Sequence, residues 1–237
     1  MKAVILGLGW INSSGFASGR SAKHFEIGHE NVTEFPRQDL FPVPNPRFGR
    51  IDRFSKTGLV AIALALKDLE QPIDTTHTGI IAATQLGCLQ TDIQYFETVI
   101  PESGKFSSPN LFAYTLPTTF LGEATIQFQL KGENLVLGTK SGEVLEPLKW
   151  ALMALHASHH TYMLAGCNHT TPEGISTPNN LHIPGALFFV LGRLAESNPT
   201  GYGILELFSD HLEFNGNRVD NLIHLAQRCI QTQPTHP

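Results

Sequence analysis

The chain opens on an apolar run, Lys2–Ile11 (KAVILGLGWI), which predicts a buried strand. Asn12, Ser13, Ser14 and Gly15 are turn formers that end it. From Ser18 to Gln38 the chain is polar and has no period. Phe41–Phe48 then carries Pro42, Pro44 and Pro46, which hold it as extended loop. Leu59, Ile62, Ala63, Leu66 and Leu69 recur at helical spacing and predict a helix over Lys56–Leu69. Thr78–Thr84 (TGIIAAT) reads as a strand, Gln85–Cys88 as the turn after it, and Leu89–Ile100 as an amphipathic helix. A further helix, opened by Pro117 at its first position, carries Leu121, Ala124, Ile126 and Phe128 towards Lys131.

The stretch Lys131–Leu155 (KGENLVLGTKSGEVLEPLKWALMAL) organises the rest. Asn134–Gly138 is a short apolar strand, Thr139–Glu143 a small polar turn, and Leu145, Leu148, Leu152 and Leu155 mark a helix. Pro147 costs about 3 kcal/mol inside a helix but little in its first turn, so the helix is expected to start near Leu145. Beyond it come strands at Thr161–Gly166, Gly185–Leu194 and Gly203–Phe208, with a Pro- and Asn-rich loop from Thr170 to Pro184. The last predicted element is a helix over Asn217–Gln231, with Leu222, Leu225, Ala226 and Cys229 on one side. Alternating strands and helices predict an α/β layered fold with a mixed, largely parallel sheet and helices on both faces. Residues 1–237 read as a single domain.

Composition narrows the function. A formal net charge of −5 leaves no basic stripe for nucleic acid. No run approaches the length of a membrane span, and the expected location is cytoplasmic. Cys88, Cys167 and Cys229 are too few and scattered for a disulfide framework. His156, His159, His160, Cys167 and His169 lie close in sequence, but their spacing fits no standard zinc site, so no metal and no cofactor is expected. Gly7 and Gly9 form half of a dinucleotide fingerprint, with the third glycine misplaced and no acidic residue at the right interval.

A strand, a tight turn and a helix start together make a platform for a nucleophile, with amides that can stabilise an anion. Here that stretch resembles the nucleophile elbow of the β-ketoacyl synthases of the thiolase superfamily, K-G-P-x-x-x-x-x-T-A-C-S-S-x-L. Lys131, Gly132, Thr139 and Leu145 match, and the family's cysteine falls on Ser141. Other segments resemble the family in order: the charged cluster Arg50, Asp52 and Arg53 before a helix, Ser107–Leu116, and Gly185–Leu194. The resemblance implies one half of a thiolase-like fold, with the chain ending where the family's second half, and its catalytic histidines, would begin.

The resemblance also implies a role. A serine in place of the cysteine needs an adjacent base, for which Lys140 is the neighbour at hand. No catalytic residue is therefore assigned, and the chain is similar to the chain-length-factor class: silent partners of active ketosynthases in fatty acid, polyene or polyketide biosynthesis on acyl carrier protein. Phe112, Phe120, Phe188 and Phe189 are candidates for an acyl-tunnel lining. The strand Asn134, Leu135, Val136, Leu137 and Gly138 is the candidate dimer strand, pairing with itself or with a full-length ketosynthase. Two rivals stand beside this reading: an acyl-transferring or hydrolysing enzyme using Ser141, and a self-contained homodimer that binds an acyl group or its carrier.

Overall fold

The structure, a computed structural model, describes residues 1–36, 40–101, 103–140, 145–157, 160–175, 184–194 and 201–232. In chain order the strands are β1 (Lys2–Asn12), β2 (Gly15–Ser18), β3 (Thr78–Thr84), β4 (Asn134–Gly138), β5 (Tyr162–His169), β6 (Gly185–Arg193), β7 (Gly203–Leu207), β8 (Leu212–Phe214) and β9 (Asn217–Val219). The helices are α1 (Arg53–Lys67), α2 (Leu89–Val99), α3 (Pro109–Phe112), α4 (Thr119–Phe128), α5 (Glu146–Ala157) and α6 (Leu222–Gln231). All nine strands join one sheet, ordered β4-β3-β5-β6-β1-β7-β8-β9, with β2 paired to β1.

Layering follows from alternation along the strands. On one face Ile81, Met163, Ala165, Leu187, Phe189 and Leu191 pack under Leu148, Leu152 and Leu155 of α5 and Leu225 and Cys229 of α6. On the other, Ile80, Ala82, Leu164, Phe188 and Val190 meet Leu59 and Ile62 of α1 and Phe120 and Ala124 of α4. Helices thus cover both faces, as expected. The sheet is mixed, but not largely parallel: β3 runs parallel to β4 and β5, and every other pairing among the described residues is antiparallel. The reversal begins at β6, which runs against both its neighbours, β5 and β1, and β1 in turn runs against β7.

Helix α1 starts on Asp52, whose carboxylate accepts the Ser55 N–H at 3.1 Å. It lies directly on β1 because Gly7 and Gly9 give it room. A Cβ at Gly9 would sit 2.1 Å from the Ala65 nitrogen, and one at Gly7 would sit 2.5 Å from the Ala65 oxygen. The paired glycines are a packing notch, not a phosphate-binding turn. The helix expected over Asn217–Gln231 is instead β9 followed by α6, which begins after Asn221, whose side chain accepts the His224 N–H.

Strand β4 ends the sheet. The Glu133 carbonyl accepts the Ile80 N–H, and the Thr139 N–H donates to the Thr84 carbonyl. Odd-numbered residues of the strand therefore bond to β3, and Asn134, Val136 and Gly138 turn their backbone groups to the open edge. Leu135 is 39% exposed, and no residue of β4 is fully buried.

Candidate functional site

Strands β3, β4 and β5 are parallel, so their carboxyl ends open on the same side of the sheet. The Thr84 carbonyl holds Thr139, and the Thr84 hydroxyl accepts the Gly87 N–H at 3.1 Å, so the turns after β3 and β4 are tied together. Ser141 lies outside the described residues. Helix α5 starts five positions later, at Glu146, with Pro147 in its first turn, as the cost of an interior proline requires. Lys140 is exposed to solvent.

Beside these turns is a cavity of about 250 Å³, lined by Arg50, Asp52, Arg53, Gln90, Thr91 and Glu173, among others. Asp52 accepts the Thr91 hydroxyl at 2.7 Å as well as capping α1, and Arg53 pairs with Glu173 at 3.3 Å. The wall after β5 is pinned by Asn31, whose side-chain amide donates to the Thr171 carbonyl at 2.7 Å while its oxygen accepts the Thr171 N–H at 2.9 Å. The Gln90 side chain accepts the Glu173 N–H at 2.6 Å. Asn31, Gln90 and Glu173 belong to this site but carry no sequence signal, since they come from three unconnected polar segments. Tyr114 closes one side and donates to the buried Glu123 at 3.2 Å, which Arg47 reaches at 3.1 Å. The charged cluster of Arg50, Asp52 and Arg53 converges here, and a lining that mixes donors with the carboxylates of Asp52 and Glu173 suits a polar group.

The thiols are not activated. Burial, reinforced by the Asp92 carboxylate 3.7 Å away, pushes Cys88 up to about 12. Burial, only partly offset by a hydrogen bond to the Leu187 backbone, pushes Cys167 up to about 12, and burial also raises Cys229. The histidines are dispersed. His156 bonds the backbone of Lys2, and His160 pairs with Glu133 at 3.6 Å near the amino end of β5, while His169 is buried at its carboxyl end. His159 lies outside the described residues. Among the described residues no group of three or more His, Cys, Asp or Glu is placed to hold a metal ion.

The four phenylalanines do not converge on one lining. Phe120 and Phe188 pack edge to face, 6.3 Å apart, in the core beneath α1 and α4, whereas Phe189 points to the opposite face. Phe112 is 61% exposed on α3, with its ring 5.3 Å from that of Tyr95. No described helix is long and apolar enough to cross a membrane.

No family model matches the chain, and no curated protein does. Solved structures do. A chain of AntDE:AntF, a type II PKS acyl-carrier protein in complex with its ketosynthase, matches with a TM-score of 0.71 at 19% identity, over 89% of this chain and 68% of that one. The ishigamide ketosynthase/chain length factor matches with a TM-score of 0.67 at 15% identity, over 86% and 66%. The ketosynthase ApeO in complex with its chain length factor ApeC, from Xenorhabdus doucetiae, matches with a TM-score of 0.61 at 17% identity, over 83% and 81%. The likeness is one of fold: the chain has the thiolase-like fold of ketosynthases and spans about two thirds of the first two neighbours.

Proposed function

We propose that the chain is a catalytically silent ketosynthase-fold subunit that pairs with a full-length ketosynthase, or with itself, in building polyketide or fatty chains on an acyl carrier protein. The observation that carries this reading is the open edge of β4. Among the described residues it has no second ladder partner and no charged side chain, and such an edge invites aggregation unless a partner covers it. Neighbours of the same fold are named as ketosynthases with a chain length factor or an acyl-carrier protein, which supports the partner classes.

Silence is supported by the serine at position 141 and by the protonated state of Cys88 and Cys167 at neutral pH. Exposed Lys140 lacks the desolvated setting that a lysine base needs. In this reading the acyl-tunnel role falls to side chains at the shared surface, Phe112 among them. The test is co-expression with a full-length ketosynthase. Co-purification of the two, with no condensation by this chain alone, is the expected result. A folded chain that binds neither a ketosynthase nor itself overturns the reading, and labelling of Ser141 by a serine-reactive probe overturns its silence.

A further inference from the structure

We propose that the cavity between the first turns of α1 and α2 binds a free amino acid, with its ammonium group at Asp52 and its carboxylate at Arg50. The charged residues of the described lining are Arg50, Asp52, Arg53 and Glu173. Arg53 and Glu173 cancel each other as an ion pair at 3.3 Å. The other two have no such match. Among the described residues Arg50 makes no ion pair and no side-chain hydrogen bond, and Asp52 has no cationic partner. One cavity thus holds one uncommitted cation and one uncommitted anion. No residue of β4 lines it, so the site stands apart from the pairing edge.

The inner wall accepts. Each Asp52 oxygen takes one donor, the Ser55 N–H or the Thr91 hydroxyl, which leaves lone pairs on both. The buried hydroxyls of Thr91, Thr170 and Tyr114 donate into the protein, to Asp52, the Gly87 carbonyl and Glu123, and keep acceptor capacity for the cavity. The charge of Asp52 is felt behind this wall. Burial raises the Asp92 carboxyl above its ordinary value, the Cys88 thiol offsets part of that, and Asp52 raises it again. The outer wall donates. Arg50 is exposed and carries five N–H donors in a fork that fits both oxygens of a carboxylate. Gln94 and Asn110, also exposed, add side-chain amides that bond no other described residue.

This polarity selects the ligand. A simple anion would meet Arg50 but face the lone pairs of Asp52 and the hydroxyls. A simple cation would meet Asp52 and leave Arg50 unanswered. A zwitterion satisfies both ends and brings no net charge. Size agrees: about 250 Å³ holds roughly eight waters at about 30 Å³ each, the bulk of a small amino acid. Phe54 and Leu111 give a short side chain an apolar surface. The wall is also pre-formed, since Asn31 holds Thr171 and Gln90 holds Glu173, so little ordering is left for the ligand to impose.

The experiment is isothermal titration calorimetry of the full chain with each of the common L-amino acids, on wild type, Arg50→Gln and Asp52→Asn. Whichever binds is then compared with its deaminated acid and its carboxamide. Arg50 is exposed and unbonded, and asparagine caps a helix about as well as aspartate, so both variants keep their fold, as circular dichroism checks. We expect at least one amino acid to bind wild type with a Kd of about 1 mM or tighter. Each variant, and each analogue on wild type, should weaken binding at least about tenfold. A folded wild type that binds none of them overturns the proposal, as does binding that either variant leaves unchanged. A deaminated acid that binds as tightly shows a plain anion site, and a carboxamide that binds as tightly shows a cation site; either overturns the zwitterion. If Asp52→Asn fails to fold, the deaminated acid decides for the ammonium end. Pairing with a ketosynthase is measured separately, and no outcome here bears on it.

Discussion

The Tyr202 hydroxyl donates to the Asp68 carboxylate at 2.6 Å, with both side chains buried between the end of α1 and the sheet. The same carboxylate accepts the Leu8 N–H at 2.9 Å and the Arg20 N–H at 2.6 Å, with the Arg20 guanidinium 3.5 Å away. Burial nevertheless raises the Asp68 carboxyl above its ordinary value, because these donors and the Arg20 charge only partly offset the loss of water. Tyr202→Phe should cost about 1–2 kcal/mol, and Asp68→Ala about 3 kcal/mol, since it strands a buried N–H and a buried hydroxyl. Urea unfolding measures both.

The sign of the pH dependence follows from that raised value. The folded state binds the Asp68 proton more tightly than the unfolded one, so this contribution is complete below the ordinary value of about 3.9 and is lost as pH rises through the folded value. Wild type should therefore lose stability relative to Asp68→Asn over the window that runs from the ordinary carboxyl value up through the raised folded one. A constant difference across that window would show that Asp68 ionises as it does in the unfolded chain.

The glycine notch gives a second prediction. Gly9→Ala drives a methyl into the backbone of α1 and should cost at least about 3 kcal/mol. Gly122→Ala on α4 meets nothing within 4 Å and should stabilise by roughly 0.5–1 kcal/mol. Thermal melts of the two variants should move in opposite directions.

Thiol chemistry gives a third. With Cys88 and Cys167 both at about 12, iodoacetamide at neutral pH should label neither in the native state, and all three cysteines after unfolding. Selective native labelling of Cys167 would mark an activated thiol and reopen the enzyme reading.

Condensation gives a fourth. Neither wild type nor Ser141→Cys should condense carrier-bound acyl and malonyl groups, because Lys140, the neighbour of position 141, is exposed and lacks the desolvated setting of a base. Product release assayed by mass spectrometry settles it.

The helices and long strands were legible because their apolar periods are strong. The start of α5 was legible because proline in mid-helix is costly. Strand direction was not. β1 and β6 are continuous apolar runs, and such runs read alike whether their neighbours are parallel or antiparallel. The hairpin β8–β9 did carry a signal in Asn215–Gly216, both with positive φ, but two three-residue strands have no period of their own. Phe188 and Phe189 are adjacent, and alternation alone sends them to opposite faces, so one tunnel could not take both. The wall of the cavity was invisible, since Asn31 meets Thr171 across 140 positions.

The place of β1 in the sheet bears on synthesis. Its partners in β6 and β7 lie between 175 positions (Ile11 to Ala186) and 204 positions (Lys2 to Glu206) downstream, and β2 pairs only with Gly9–Asn12. At about 5–20 residues per second, the ribosome delivers Arg193 roughly 10–40 s after Ala3. Throughout that interval Ala3, Val4, Ile5 and Leu8 are an apolar segment without a ladder partner, on a chain whose fold is dominated by distant pairings and is therefore slow to form. Yield in a cell should then depend on how well chaperones hold this segment, with slower growth or added holdase raising the soluble fraction even when the finished protein is stable.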